Sequence, residues 1–434
     1  MKKWITILLL LVFISFLPSC RAKESEYVHA EKAEFASETP AETRTELILA
    51  TMRHPQDTMK MENAIQSAAA SFNQSNSKYY VTVVDYLQEG ADGKQNGLRL
   101  LNTEITSGKC PDMICFSQIS PFPYLSKGLL LDMEECLAAD ADVAPDDIIA
   151  LGAMRSLGGL FLLGSNVTVD TLIAQQSRFG DRYAWSLQEY LEIEAAEDPS
   201  VWIIYNITHD VLLREVGRRY VRSAINWETG VCDFDNAEFV ALLDACSRIQ
   251  EKPEMPGNEL VGLGASFVAE GKLITAESMT DQVYTLARDE AFAGEKLSYI
   301  GWPTIDGSCG TDVRFQHPVG IVSKSEHIEG CWAFIKYLLQ EVPVRYGIPV
   351  YKPRLLDEID KAKNRDEPYE RMTDGQGEHL LDLLDHIENL AIYDETVTEI
   401  LLSESESFFA GRRSAEETAE LIQSKVSLYL SELQ

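Results

Sequence analysis

Carboxylates are the commonest chemistry-bearing groups in this 434-residue chain, which has 69 Asp and Glu side chains. A pair of them spaced as a glycosidase dyad can always be imagined, and that abundance makes the pairing uninformative. The seven histidines, among them His54, His209, His317 and His386, show no ligand spacing. Besides Cys20, the cysteines are Cys110, Cys115, Cys136, Cys232, Cys246, Cys309 and Cys331, an odd number with no CxxC pair. They indicate neither a disulfide framework nor a zinc site. No GxSxG elbow, HExxH helix, phosphate loop or EF-hand loop is present. Gly262-Leu263-Gly264-Ala265-Ser266-Phe267 begins like a dinucleotide fingerprint but lacks its last glycine. Catalytic residues, metal and cofactor are therefore all expected to be absent. The remaining chemistry is that of binding, in which hydrogen-bonding and stacking side chains sit beyond the carboxyl ends of strands. Arg53 and His54 follow the apolar stretch Leu47 to Thr51, and Phe116, Ser117 and Gln118 close Met113 to Phe116. Asn206 and Thr208 follow Val201 to Tyr205, Glu277 and Ser278 follow Lys272 to Ala276, and Trp302 ends Leu297 to Trp302. Phe116 and Trp302 can stack on a ring, while Arg53, Gln118, Asn206 and Glu277 can bond to its polar groups. Trp302 fits a second role equally, as a brace at a crossover.

Those residues must be positioned by alternating strands and helices. After Leu47 to Thr51, the residues Met61, Ile65, Ala68, Ala69 and Phe72 share one helical face, and Tyr79 to Tyr86 is β-branched and aromatic. In one sheet such a unit is parallel and right-handed. A helix aligning Leu98, Leu101 and Ile105 precedes the next strand, so the chain reads as α/β. Gly158 to Gly164 is an apolar run bracketed by glycines, expected to cross between two lobes. Ser186 and Glu189 form a capping box with Trp185 and Tyr190 at the staple positions. Helices are expected at Phe239 to Ile249 and Val397 to Phe409, with Gly411 ending the latter and Ser414 and Glu417 capping the last helix. Tyr299 to Gln340 packs a strand, a turn at Ile305-Asp306-Gly307, a second strand at Val319 to Val322 and a helix capped by Ser325. This segment is too small to fold alone and is therefore expected to complete a sheet whose other strands lie roughly 200 residues earlier.

The ends and the composition bound the setting. Lys2 and Lys3, an uncharged run from Trp4 to Leu17, and Pro18-Ser19-Cys20 have the layout of a signal peptide. The run is shorter than the roughly 20 residues of a spanning helix. Residues 20–45 carry almost no apolar side chains and are expected to be a flexible tether. An apolar content of 45% suits two cores, and a net charge of −31 argues against nucleic acid or anionic lipid as partner.

Leu17-Pro18-Ser19-Cys20 resembles a bacterial lipobox, with Cys20 the acylated first residue of the mature chain. Several further segments resemble the extracellular solute-binding lipoproteins, family 1, that serve sugar-type ABC importers in Gram-positive bacteria. They are SFNQSNSKYYVTVVDY within Ala69 to Tyr86, LLNTEITSGKCPDMICF with YLSKGLLLDM across Leu100 to Met133, and INWETGVCDFDNAEFVALLD from Ile225 to Asp244. IGWPTIDG and FFAGRRSAEETAELIQSKVSLYLSEL complete the set, in order and at matching spacing. The resemblance implies a two-lobed α/β fold of periplasmic-binding-protein type II, closing about a hinge on a small solute. It implies residues 1–19 as lipoprotein signal, 46–160 and 297–341 as lobe 1, and 161–296 and 342–434 as lobe 2. Tyr393 and Asp394 would then open a late helix facing the cleft. The solute would be a mono- or oligosaccharide, the partners ABC permease subunits and the membrane through Cys20, the place the extracellular face of the membrane, and the state monomeric. Two other readings stay open: an anchored extracellular carbohydrate hydrolase using a carboxylate pair such as Glu277 and Asp394, and a non-catalytic surface adhesion lipoprotein.

Overall fold

The computed structural model describes residues 44–53, 64–90, 92–249, 264–343 and 346–433. The signal segment, most of the tether, Cys20 and His54 lie outside the described residues. The chain opens with β1 (Thr45–Thr51), α1 (Ala64–Ser75), β2 (Tyr79–Asp85), α2 (Gly93–Thr106), β3 (Met113–Cys115) and a single turn, α3 (Phe122–Leu125). Strand β1 pairs in parallel with both β2 and β3, as the alternation of strand and helix requires. Ile65, Ala68, Ala69 and Phe72 form the buried face of α1.

A second set of elements follows: β4 (Asn166–Gln175), α4 (Leu187–Ala196), α5 (His209–Ala224), the hairpin β5 (Ile225–Asn226) and β6 (Val231–Cys232), and α6 (Ala237–Ser247). It continues through β7 (Thr275–Thr280), β8 (Leu297–Tyr299) and β9 (Asp312–Phe315). The chain then returns with β10 (Val319–Ile321) and α7 (Ile328–Gln340), and leaves again through β11 (Ile348–Pro349), β12 (Asn389–Leu390), α8 (Glu395–Phe409) and α9 (Ala415–Leu433). The first sheet has the order β10-β3-β1-β2, and the second is built on β4, with β11, β7, β8 and β9 all paired to it and β12 paired to β9. Phe72 of α1 meets Phe334 and Tyr337 of α7 edge-on at 5.3 and 5.4 Å, so α7 covers the first sheet.

The segment from Tyr299 to Gln340 divides between the sheets. Val319 pairs with Cys115 and Ile321 with Met113, the expected return to the first sheet. Strand β8 corrects the other half of that expectation: Tyr299 pairs with Ile173 and Leu297 with Gln175, inside the second sheet. The cause is packing: all three residues of β8 are buried, which requires a place within a sheet covered on both faces, and β4 supplies the edge to which β8 bonds. Two further corrections have the same origin. Val201 to Tyr205 forms no strand, only a bridge from Trp202 to Leu273, and the strand expected at Lys272 to Ala276 lies at Thr275–Thr280, where β4 supplies its partners. Ser325 does not cap α7; its hydroxyl accepts from the His327 N–H and donates to Asp112.

Candidate functional site: an inter-lobe cleft

A cleft of about 570 Å³ lies between the two lobes. One wall comes from α3 and the segments around it, presenting Phe122, Leu125, Leu130, Leu157 and Phe161. The facing wall comes from α5, the β5–β6 turn and the start of α8, presenting Arg218, Arg222, Trp227, Ile392, Tyr393 and Asp394. The walls meet where Phe122 stacks on Trp227, ring centroids 4.1 Å apart and planes 26° apart. Local sequence fixes both partners. Phe122 lies between Pro121 and Pro123, with Pro121 starting the single turn. Trp227 opens a four-residue hairpin turn in which the Asn226 carboxamide oxygen accepts from the N–H groups of Glu228 and Thr229 at 3.1 and 3.0 Å. Gly230 supplies the positive φ of 67° that closes the turn.

Beneath the second wall, Asp312 of β9 is buried and accepts from Arg219, from Arg222 at 2.7 Å and from the Tyr393 hydroxyl. Burial alone would raise its pKa, but Arg219 and then Arg222 outweigh it and hold the carboxyl below the usual range. The Arg218 and Arg222 guanidiniums lie 5.2 and 5.3 Å from the Tyr393 ring centroid. Burial, the largest influence, raises the Tyr393 hydroxyl pKa, so it stays protonated and donates.

Of the residues expected to bind solute, Tyr393 and Asp394, placed at the opening of a late helix, line this cleft. The Asp394 carboxylate is already committed, accepting from the Val397 N–H at 2.9 Å and the Tyr429 hydroxyl at 2.8 Å as the cap of α8. The others stand elsewhere. Arg53 is ion-paired with Asp85 beyond β1. Phe116 is buried edge-on against Tyr124 at 5.5 Å. The Ser117 hydroxyl bonds to His317 Nδ1 at 3.1 Å, and Gln118 is half-buried on the same turn. Asn206 is exposed with a φ of 51°, a conformation asparagine tolerates. Thr208 caps α5 by accepting from the Val211 N–H. Glu277 is exposed on β7, where desolvation by the surrounding wall and then Glu215 and Asp170 raise its pKa. Ser278 is buried and donates to Asp289 at 2.7 Å. Trp302 is buried below Arg219, whose guanidinium stands 5.8 Å from its ring centroid.

Reading the sequence did not single out Phe122, Phe161, Arg218, Arg222 or Trp227. Two signals were available: a Phe enclosed by prolines, and the run Arg218-Arg219-Tyr220-Val221-Arg222 in a chain where 38 Lys and Arg face 69 acids.

Two sheets joined by repeated crossings, with a lined cleft between them, define a two-lobed α/β fold of the periplasmic solute-binding type. Solved structures share it. The chain is similar to an extracellular solute-binding protein family 1 from Alicyclobacillus acidocaldarius, at 14% identity, 90% of this chain, 100% of that one and a TM-score of 0.52. It is similar to the sugar-binding protein MalE from Xanthomonas citri, at 15% identity, 89% and 98% coverage and a TM-score of 0.55. A periplasmic oligogalacturonide binding protein from Yersinia enterocolitica matches at 15% identity, 90% and 100% coverage and a TM-score of 0.55. No family model matches the chain, and no curated protein matches it.

Proposed function

We propose that this chain is a solute-binding protein that captures a mono- or oligosaccharide between its lobes and passes it to the permease of an ABC importer. The observation that carries the reading is the cleft, which neither lobe encloses alone and which has an aromatic ring from each wall. Rings of this kind offer flat apolar faces to sugars, and the polar groups of the second wall suit hydroxyls. Shared fold with sugar-binding structures supports the same reading. Strand pairing supports a division into lobe 1, residues 46–163 with 318–341, and lobe 2, residues 164–317 with 346–433, which moves the segment 297–317 out of the lobe expected for it. The lipobox-like Cys20 supports anchoring on the extracellular face of the membrane, with residues 20–45 as tether. Calorimetric titration of the purified protein with a saccharide panel, paired with small-angle scattering, tests the proposal. The expected result is saturable binding accompanied by a smaller radius of gyration; a broad panel with neither would overturn it.

A further inference from the structure

The arginines of α5 are not used equally. Arg219, which does not line the cleft, is saturated: Nε donates to the Gly310 carbonyl at 2.9 Å, Nη1 to the Glu215 carbonyl at 2.7 Å and carboxylate at 3.2 Å, and Nη2 to Asp312. Arg222, which does line it, makes all its hydrogen bonds from Nη2, to Asp312, to the Leu390 carbonyl at 3.1 Å and to the Tyr393 hydroxyl at 3.2 Å. Its Nη1 is buried without a partner, and so is Nε of Arg218, the other cleft arginine. A buried guanidinium donor left unpaired is costly, so it points to a group that arrives with the ligand.

The buried charges on this wall balance. Arg218, Arg219 and Arg222 share two buried or half-buried carboxylates, Asp312 and Glu215. Glu395 stands 3.8 Å from Arg218 but is 73% exposed, where water screens it. Of the other acids on this wall, Glu228 is exposed on the hairpin turn and Asp394 is engaged as a helix cap. Asp394 keeps its negative charge while it caps the helix, so three arginines face three buried or half-buried carboxylates, and the unused donors of Arg218 and Arg222, not surplus charge, mark the place of the anion. Among the described residues, the opposite wall lines the cleft with no ionisable side chain; it offers Phe122, Leu125, Leu130, Leu157 and Phe161.

Resting on the proposed function, we infer that the solute is an acidic saccharide. Its carboxylate or phosphate is bound by Arg218 and Arg222, and the apolar face of its ring lies on Trp227. A ring cannot enter between planes whose centroids are 4.1 Å apart, so Phe122 and Trp227 separate when it binds.

The test is calorimetric titration of the full chain with matched pairs: glucuronate-, galacturonate- and mannuronate-containing disaccharides against their neutral counterparts, together with glucose 1-phosphate and inorganic phosphate. The expected result is at least one acid bound tenfold or more tighter than its neutral twin, with affinity falling as salt is raised. A uronate preference identifies a carboxylate ligand and a sugar-phosphate preference a phosphate one. Arg218→Gln, which leaves every bond to Asp312 in place, should lose that preference while the melting temperature stays within a few degrees; Trp227→Ala should weaken acid and neutral twins alike. Neutral sugars binding as well as acids, or acid binding untouched by Arg218→Gln, would overturn the inference and leave the proposed function standing. Absence of binding to every member would overturn both.

Discussion

Asp312 shows how one side chain organises the second lobe. Its carboxylate is out of water, and three donors from α5 and the segment before α8 replace the lost hydration. Removing one partner of such a cluster strands the others as buried cations. Asp312→Ala is therefore expected to cost about 3–5 kcal/mol at neutral pH, read as a lower urea midpoint with unchanged slope. The sign with pH follows from the depressed pKa. The stabilisation is fully present above the unfolded-state value of about 3.9 and fades as pH falls through the lower folded value, so the wild type and Asp312→Ala should converge in stability in strong acid. An unchanged midpoint in the variant at neutral pH would rule out this account. None of it was legible in the sequence, because Asp312 is one of 69 acids and its partners lie about 90 and 80 residues away in either direction.

At the level of elements, legibility depended on where the stabilising partner lies. The box at Ser186 and Glu189 was readable because it is complete within four residues: the Glu189 N–H donates to Ser186 Oγ at 3.1 Å, and Glu189 Oε2 accepts from the Ser186 N–H at 2.8 Å. Ser414 and Glu417 repeat it at 3.1 and 3.2 Å. Val201 to Tyr205 has strand-like residues but finds no ladder, and β7 is polar at Thr275, Glu277, Ser278 and Thr280 yet is a strand because β4 lies alongside. The link between β8 and β9 depends on a close approach instead. Gly301 and Gly310 bridge one another, and a Cβ on Gly310 would come 1.8 Å from the Trp302 carbonyl oxygen, with no flexible atom to yield. Gly310→Ala is expected to lose at least about 3 kcal/mol, the upper end of ordinary overpacking, in chemical unfolding. Gly152→Ala, where the added methyl meets nothing, should be neutral or slightly stabilising; equal effects from the two would show that the approach is not what matters.

For the whole molecule, the order of apolar segments revealed two lobes and a chain that returns to the first, since β3 and β10 are both short apolar strands needing neighbours. The cleft was less legible because it exists only where distant stretches meet, Phe122 after β3 and Trp227 in the β5–β6 turn. That stack spans the lobes, so Trp227→Ala should loosen them and enlarge the radius of gyration of the unliganded protein in small-angle scattering. An unaltered profile would mean that the crossovers alone set the lobe separation. The β3–β10 pairing has one more consequence, for biosynthesis. During synthesis β3 emerges from the ribosome about 200 residues before its partner, a delay of roughly 10–40 s at ordinary elongation rates. Over that interval the nascent first lobe carries an open strand edge, the kind of surface that recruits foreign strands. A chaperone that shields that edge should therefore improve yield, and a slow codon run placed before β10 should lower it.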